Sequence, residues 1–246
     1  MNIGILGTGM VGQALGSALA AQGHAVMFGT RDVEKTLAGE GTNAYGVPVF
    51  GVWYKDNANK GSEHKDNTHK DSEHKDSAHL ELGTFAEAAR FGDLLVNATN
   101  GMGSLEALHA AGADNLGSKI LIDVANELDF SGGMPPRALA TTDRSLGEAI
   151  QAAFPDLRVV KTLNTMNASV MVDPALVPGG DSTVFINGND AEAKAQVTEL
   201  LKSFGWQDVM DLGDVTASRA AEMLLPLWVR TWGVLGNVSF NFKIAR

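Results

Sequence analysis

The chain has no cysteine among its 246 residues. That excludes disulfide bridges, thiol nucleophiles and zinc–thiolate sites at once. Positive charge is also short: 19 Lys and Arg stand against 29 Asp and Glu, a formal net charge of −10. Such a balance argues against a nucleic-acid partner and offers no basic patch to a membrane surface. Long apolar runs are missing too. The most apolar late stretch, 223–229, is broken off by Arg230, well short of the roughly 20 residues a membrane span needs. No basic segment precedes the apolar opening, and its glycines belong to a folding motif, so it does not read as a signal peptide. A soluble, cytoplasmic protein is expected. Hydrophobic content of 44% and charged content of 20% are those of a globular chain. The length allows one large domain or one and a half.

What is present begins at once. Residues 2–6 (NIGIL) read as a short buried strand, followed directly by Gly7-Thr8-Gly9-Met10-Val11-Gly12. Helix formers with small residues occupy 14–20, and a second strand, His24 to Phe28, ends in Gly29-Thr30-Arg31. A G-x-G-x-x-G pattern gains meaning from this strand–helix context. Gly7 allows the tight turn, Gly9 lets the backbone approach a pyrophosphate, and Gly12 permits close packing of helix on strand. The helix start turns unpaired N–H groups and its positive dipole end toward that anion. An NAD-type site places Asp or Glu at the end of the second strand. Here Thr30 and Arg31 stand there, with Asp32 one step later and Lys35 on the next turn. A hydroxyl, a guanidinium and an ammonium suit a dianionic 2′-phosphate, which a carboxylate at either position would repel. The cofactor expected is NADP.

A short helix over 33–37 and a Gly-rich loop over 39–51 come next. From Lys55 to His79 the chain is a tandem pentapeptide, KDNAN, KGSEH, KDNTH, KDSEH, KDSAH, with almost no apolar residue. It cannot bury a core and reads as a solvated surface insert. It holds four of the six histidines: His64, His69, His74 and His79. A spacing of five advances about 140° beyond a full helical turn, so they share no helix face. No metal site is expected.

Beyond the insert the fold resumes at Thr84, where Thr84 and Glu87 make a capping box for a helix to Arg90. Apolar strands at 93–97, 119–123 and 157–161 alternate with helices at 104–111 and, behind a second capping box of Ser145 and Glu148, to Phe154. This alternation predicts an α/β fold of Rossmann type, a doubly wound, mainly parallel sheet. Ligands then sit beyond the carboxyl ends of the strands, so 7–12, 30–31, 97–99, 125–126 and 162–164 should line one crevice. Residues 1–165 form the dinucleotide-binding domain, and 166–246 a smaller C-terminal α/β extension for acceptor binding and dimerisation. Two strands, 183–187 and 206–210, flank a helix over 190–203 in that extension. One last helix over 215–236 is expected, kinked by Pro226. Its stripe of Met223, Leu224, Leu227 and Trp228 reads as core or dimer contact rather than a substrate grip. Lys161 is open to two readings, a ligand contact or an ion pair. His109 reads as a surface or packing residue.

With these segments placed, the chain resembles the NADP oxidoreductases of the coenzyme F-420-dependent type, which are related to the cytosolic domain of the STEAP metalloreductases. The resemblance rests on GILGTGMVGQALG at 4–16, FGTR at 28–31, LVNAT at 95–99, ILIDVAN at 120–126, VVKTLNT at 159–165 and DLGDVTASRAAEMLLPLW at 211–228. It implies that Thr8, Gly9, Met10 and Val11 cradle the pyrophosphate, and that Thr30, Arg31 and Lys35 take the 2′-phosphate. It also implies that Asn97, Ala98, Thr99, Ala125 and Asn126 flank the nicotinamide, with Asn164 near the hydride acceptor. The archaeal deazaflavin enzymes resemble G-G-T-G-N-x-G in the glycine loop, where this chain has GTGMVG. The acceptor therefore stays open among F-420, FMN and FAD.

The chemistry expected is direct hydride transfer between NADPH and a second ring, with the protein holding the reacting carbons roughly 3–3.5 Å apart. No side-chain acid or base is identified. The alternatives are a β-hydroxyacid dehydrogenase or imine reductase relative, and an NADP-binding redox sensor without turnover.

Overall fold

The structure, a computed structural model, describes residues 1–43, 46–58, 79–129, 131–133, 136–139 and 142–246. Strand β1 (Asn2–Leu6) buries four of its five residues, as a strand covered on both faces requires. The glycine loop leads into α1 (Met10–Ala21). Strand β2 (Ala25–Thr30) runs two residues further than its sequence pattern, so Thr30 closes it. Asp32 caps α2 (Val33–Leu37) by accepting from the Lys35 backbone N–H at 2.9 Å.

The next two elements correct the sequence reading. A helix, α3 (Phe50–Ala58), occupies the end of the expected loop and takes in the first residues of the pentapeptide block. Its cause is Phe50, Trp53 and Tyr54, spaced i, i+3, i+4. The Phe28 ring of β2 meets Phe50 at 5.0 Å and Trp53 at 5.4 Å between centroids, and that aromatic burial overrides the polar tail. A parallel edge strand, β3 (Leu80–Thr84), pairs with β2 ahead of the expected restart at Thr84. His64, His69 and His74 lie outside the described residues. His79 is described and pairs with Glu81 at 2.5 Å.

Thr84 and Glu87 form the reciprocal capping box of α4 (Phe85–Phe91). Then come β4 (Leu94–Asn97), α5 (Ser104–Ala111), the one-turn α6 (Ala113–Leu116) and β5 (Ile120–Asp123). A small antiparallel ribbon, β6 (Leu128–Asp129) with β7 (Arg137–Ala138), follows; strands of two residues leave no periodic trace in a sequence. Ser145 caps α7 (Leu146–Ala153), but only half of the second capping box forms. Ser145 Oγ accepts from the Glu148 N–H, while the Glu148 carboxylate takes the Ser145 hydroxyl and the Arg219 guanidinium. The chain continues through β8 (Arg158–Thr162), α8 (Ala168–Val172), β9 (Thr183–Asn187), α9 (Ala191–Ser203) and β10 (Asp208–Asp211). It ends with α10 (Ser218–Met223) and α11 (Leu225–Leu235). Pro226 does not kink one long helix. It sits in the first turn of α11, where its missing N–H is no loss, and the helix breaks at Leu224.

All strands but β6 and β7 join one sheet, ordered β10-β9-β8-β5-β4-β1-β2-β3. Every pairing in it is parallel except β8 with β9. From β3 to β8 the order is that of a doubly wound α/β sheet with its switch point between β1 and β4. Residues past 165 add β9 and β10 to this same sheet. Alternation along each strand divides the core between two faces. Ile3, Ile5, Phe28, Val96 and Ile122 pack on one side, and Leu6, Leu95, Leu121 and Val159 on the other. Near the carboxyl ends the register aligns Asn97, Asp123, Lys161 and Asn187 across four neighbouring strands. All four are wholly buried. Among the described residues, no helix is long and apolar enough to cross a membrane.

The contact of α10 with α7 carries a pH signature. Hydrogen bonds from Arg219 hold the Glu148 carboxyl below its ordinary range of about 4.5, against the opposing effect of burial. A lowered folded value means stability that is present above about pH 4.5 and lost as pH falls through the folded value. Thermal melting of wild type and Glu148→Gln between about pH 6 and pH 3 should show wild type ahead at the upper end, with the gap closing below about pH 4.5. A gap that does not vary with pH would show that the Arg219 pair contributes nothing.

Candidate functional site

The carboxyl ends of β1, β4, β5 and β8 meet on one cavity of about 910 Å³. Gly9, Met10 and Val11 line it from the glycine loop, Ala98 and Thr99 from beyond β4, Ala125 and Asn126 from beyond β5, and Asn164 from beyond β8. The three loop glycines differ in what surrounds them. A methyl on Gly7, whose φ is +121°, would fall 2.5 Å from the Ala98 carbonyl oxygen, and one on Gly12 would fall 2.3 Å from that of Gly7. These two are fixed by the protein's own packing. A methyl on Gly9 would meet nothing within 4 Å. Gly9 is also the N-cap of α1 and supplies no side chain to the first-turn N–H groups. An open glycine before an uncapped helix start leaves both room and donors for an anion. A dinucleotide pyrophosphate fits that space. The loop is braced by Gln13, whose side-chain amide donates to the Thr8 carbonyl at 3.2 Å and the Pro48 carbonyl at 3.3 Å. Only the fold shows that contact.

Asn97 does not line the cavity, which corrects its expected place beside the nicotinamide. It is fully buried, and its amide donates to Ser104 Oγ at 3.0 Å and Asp123 Oδ1 at 2.9 Å. Its Oδ1 accepts the Thr99 hydroxyl at 2.7 Å. Asn97 therefore sets Thr99, which does face the cavity. Asp123 accepts from the Ala125 N–H at 3.2 Å and from Lys161 Nζ at 2.9 Å. Lys161 Nζ also donates to the Ala125 carbonyl at 2.5 Å and lies 3.0 Å from Glu222 Oε1. Of the two readings of Lys161, the ion pair is the one the structure shows. Burial disfavours its charged form, but Asp123 and Glu222 outweigh that and hold the ammonium above the ordinary lysine range. Glu222 further accepts the Leu146 and Gly147 N–H groups, at 2.9 and 3.1 Å, at the start of α7.

Above this floor Asn126 and Asn164 exchange hydrogen bonds. Asn126 donates to the Asn164 carbonyl at 2.7 Å, and the Asn164 amide donates to Asn126 Oδ1 at 3.1 Å and to the Ala221 carbonyl at 3.2 Å. Leu163, immediately before, has φ +60°, a left-handed conformation unusual for a leucine. The turn that aims Asn164 is strained, as turns at functional sites often are.

The outer wall comes from residues the sequence did not single out for this role. Trp53 of α3, Met166, Asn167 and Met171 around α8, and Leu225, Trp228, Val229 and Trp232 of α11 close the cavity. The α11 residues fall at i, i+3, i+4 and i+7, one helix face. The apolar stripe is thus split. Trp228 lines the cavity, whereas Met223 and Leu227 are 42% and 53% exposed. Trp228 stacks on Phe240 at 5.2 Å, and its buried indole N–H has no hydrogen-bond partner among the described residues.

The second-strand end stands apart from this cavity. Thr30 is buried, with its hydroxyl 2.8 Å from that of Thr36, which donates to the Asp32 carbonyl at 2.7 Å. The Thr30 proton therefore goes to Thr36, and Thr30 lines a small cleft beside Arg31. Arg31 and Lys35 are exposed. Arg31 lines a small cleft of about 120 Å³ with Thr84 and Phe85, and there it meets Glu106 at 3.4 Å. His109 is exposed, its ring 5.1 Å from that of Phe154. Among the described residues no three acidic or histidine side chains group as a metal ion would need.

Comparison with known proteins follows from this geometry. The family model described as NADP oxidoreductase, coenzyme F420-dependent, matches residues 2–127. A crystal structure of a candidate F420-dependent NADP reductase from Arthrobacter sp. FB24 is 52% identical, covers 100% of both chains and has a TM-score of 0.85. The metalloreductase STEAP3 of Rattus norvegicus is 31% identical over 121 residues, 47% of this chain and 22% of that protein. The F420-dependent NADP reductase of Methanocaldococcus jannaschii is 28% identical over 117 residues, 47% of this chain and 52% of the relative. The chain thus aligns with about a fifth and about half of these two curated relatives.

Two substitutions test the site. Arg31→Ala should weaken NADPH binding by about 1–3 kcal/mol, the scale of a lost charge-assisted bond, and leave NADH binding within twofold. Glu106→Gln should tighten NADPH by at most about fivefold, since an exposed ion pair is worth about 0–1 kcal/mol. Titration of both cofactors decides; equal losses for NADPH and NADH in Arg31→Ala would rule out a 2′-phosphate at Arg31. Lys161→Met strands two buried carboxylates and should lower unfolding free energy by about 3–5 kcal/mol, read by urea denaturation. A loss below about 1 kcal/mol would mean that the ion cluster does not hold the floor.

Proposed function

The chain belongs to the coenzyme F420-dependent NADP oxidoreductase family, and from that premise we propose that it transfers hydride between NADPH and a deazaflavin- or flavin-like acceptor. The observation that carries this reading is the lining of the large cavity. It offers amides, hydroxyls, tryptophans and apolar side chains, and no Asp, Glu, Lys, Arg or His among the described residues. Two stacked rings can exchange hydride without a side-chain acid, and such a lining supports that chemistry.

In this reading NADPH, when bound, supplies the hydride. The backbone of Thr8, Gly9, Met10 and Val11 holds the pyrophosphate, and Arg31 with Lys35 holds the 2′-phosphate at the second-strand end. Thr99, Ala125 and Asn126 border the nicotinamide, and Asn164, locked to Asn126, faces the acceptor. Trp228 and Trp232 cover the rings and exclude water, which strengthens the polar contacts inside. A homodimer through the outer side of α11 and the end of α10 belongs to the same proposal, supported by Met223, Leu227, Val234 and Leu235, each at least 42% exposed. So does a cytoplasmic location.

Stopped-flow absorbance tests it. NADPH is premixed with the protein and then mixed with F420, FMN, FAD, a cyclic imine or a ferric chelate in turn. Loss of nicotinamide absorbance with a deazaflavin or flavin is expected. Oxidation by the imine alone would move the chain to imine reduction. Tight NADPH binding with no oxidation by any acceptor would leave a redox sensor.

A further inference from the structure

Resting on the hydride-transfer reading just given, we propose that an arm of the cavity beside α1 receives the hydroxyl-bearing side chain of the acceptor ring, held by Ser17, Trp53 and Asn167. The arm follows from where the lining residues sit. Met10, Ala14 and Ser17 line the cavity at i, i+4 and i+7 of α1, one helix face that runs about 10 Å from the helix start. Trp53 of α3 and Ala168 and Met171 of α8 line the same cavity. Small side chains at Ala14, Ser17 and Ala168 leave the room.

The dinucleotide does not need this space. α1, α3 and α8 pack on one face of the sheet, through Leu15, Phe50 and Val170. The cleft at Arg31 is lined by Phe85 and Ala107, which belong to the core on the opposite face, with α4 and α5. A cofactor that runs from the start of α1 to Arg31 therefore turns away from Ser17. An acceptor ring stacked on the nicotinamide lies on the α8 and α11 side, and its substituent can enter the arm.

Three polar groups give the arm its chemistry. The Ser17 hydroxyl, the Trp53 indole N–H and the Asn167 amide N–H groups have no hydrogen-bond partner among the described residues. A serine inside a helix often bonds back to the carbonyl four residues earlier; Ser17 does not. Asn167 spends only its oxygen, which caps α8 by accepting the Ser169 N–H at 3.0 Å and hydroxyl at 2.8 Å. All three residues are half-buried and line the cavity, and none of the three groups is sealed inside the protein. Such groups gain from a partner that a ligand brings. Indole and amide N–H groups donate, and a hydroxyl both donates and accepts, so a short polyol such as a ribityl chain answers all three. The walls are fixed before it arrives. The Trp53 ring lies 5.4 Å from that of Phe28 and 5.3 Å from that of Phe50, and the Met171 carbonyl accepts the Trp206 indole N–H at 3.0 Å.

The test uses one ring with and without the chain: riboflavin, and lumiflavin, in which a methyl group replaces the ribityl chain. Each is mixed with the full-length protein and saturating NADPH. We expect kcat/KM for riboflavin at least tenfold above that for lumiflavin. Ser17→Leu fills the arm and should bring that ratio within twofold of unity, while the Kd for NADPH stays within twofold. Ser17→Ala, which a helix accepts readily, should lower the ratio about two- to fivefold, the scale of one neutral hydrogen bond. Quenching of tryptophan emission in the NADP⁺-loaded protein measures flavin binding without turnover. Equal use of the two rings by wild type, or a ratio unchanged in both variants, would overturn this inference and leave the hydride-transfer reading intact. Weaker NADPH binding in Ser17→Leu would also overturn it, since the arm would then hold the dinucleotide. No oxidation by either ring would overturn the hydride-transfer reading instead, and quenching would decide the inference: a riboflavin preference that Ser17→Leu abolishes supports it, and equal binding of the two rings overturns it.

Discussion

One buried ammonium holds the site together. Lys161 lies in the middle of a row that runs Asn97, Asp123, Lys161, Asn187 across four strands, and it has no solvent contact. A charge in that position is tolerable only if every donor finds an acceptor. Its three acceptors are Asp123, Glu222 and the Ala125 carbonyl. Two carboxylates for one ammonium leave an excess negative charge. The Asn97 amide, the Ala125 N–H and the first N–H groups of α7 absorb it, the last with the favourable dipole of a helix start. Each of these groups belongs to a segment that borders the cavity or carries one that does. The electrostatic demand of Lys161 is thereby converted into the geometry of Thr99, Ala125 and Asn126.

The same demand places the outer wall. Glu222 comes from α10, three residues after Arg219, so the two project from neighbouring positions one turn apart. Glu222 goes inward to Lys161, and Arg219 goes sideways to Glu148 of α7. They are unequal anchors. The Arg219 side chain is 41% exposed and its pair is screened, whereas the Lys161 pair lies in a dry interior. α11 begins two residues after α10 ends, with Pro226 in its first turn, so the direction of α10 sets where Trp228 and Trp232 fall. The shape of a cavity with no charged lining among the described residues thus depends on charges hidden beneath it.

The parts legible in the sequence were those that repeat or that obey local chemistry. The NIGIL strand, the glycine loop, the Thr84–Glu87 cap, the 33–37 helix and the alternation of strand and helix from 93 to 161 all declare themselves through spacing. Convergence of 9–11, 98–99, 125–126 and 164 on one cavity followed from strand ends alone, while 30–31 line a separate cleft. The rest was set by tertiary partners. α3 was missed although Phe50, Trp53 and Tyr54 are helix-spaced, because the glycines before them and the polar repeat after them dominate any window. β3 owes its place to the β2 ladder rather than to an alternating pattern. Glu148 had the right spacing for a capping box, and Arg219, 71 residues away, took its carboxylate instead. Asn97 looked like a ligand contact because it ends a strand; its side-chain direction, fixed by the row beneath the cavity, makes it a support for Thr99.

Ionic and apolar work are kept apart across the site, and that separation has a physical basis. In the proposed reading Arg31 and Lys35 meet the 2′-phosphate from water-exposed positions; a buried cation would carry its desolvation cost whenever the site is empty. The proposed hydride transfer needs the opposite, a region from which water is excluded. Keeping the ion cluster below the floor, and Arg31, paired with Glu106, outside the cavity, leaves the middle to amides and indoles, polar enough to orient a ring. The α11 wall rests on buried Leu225 and on Trp228 stacked against Phe240, and its short link to α10 ties it to the Lys161 cluster through Glu222.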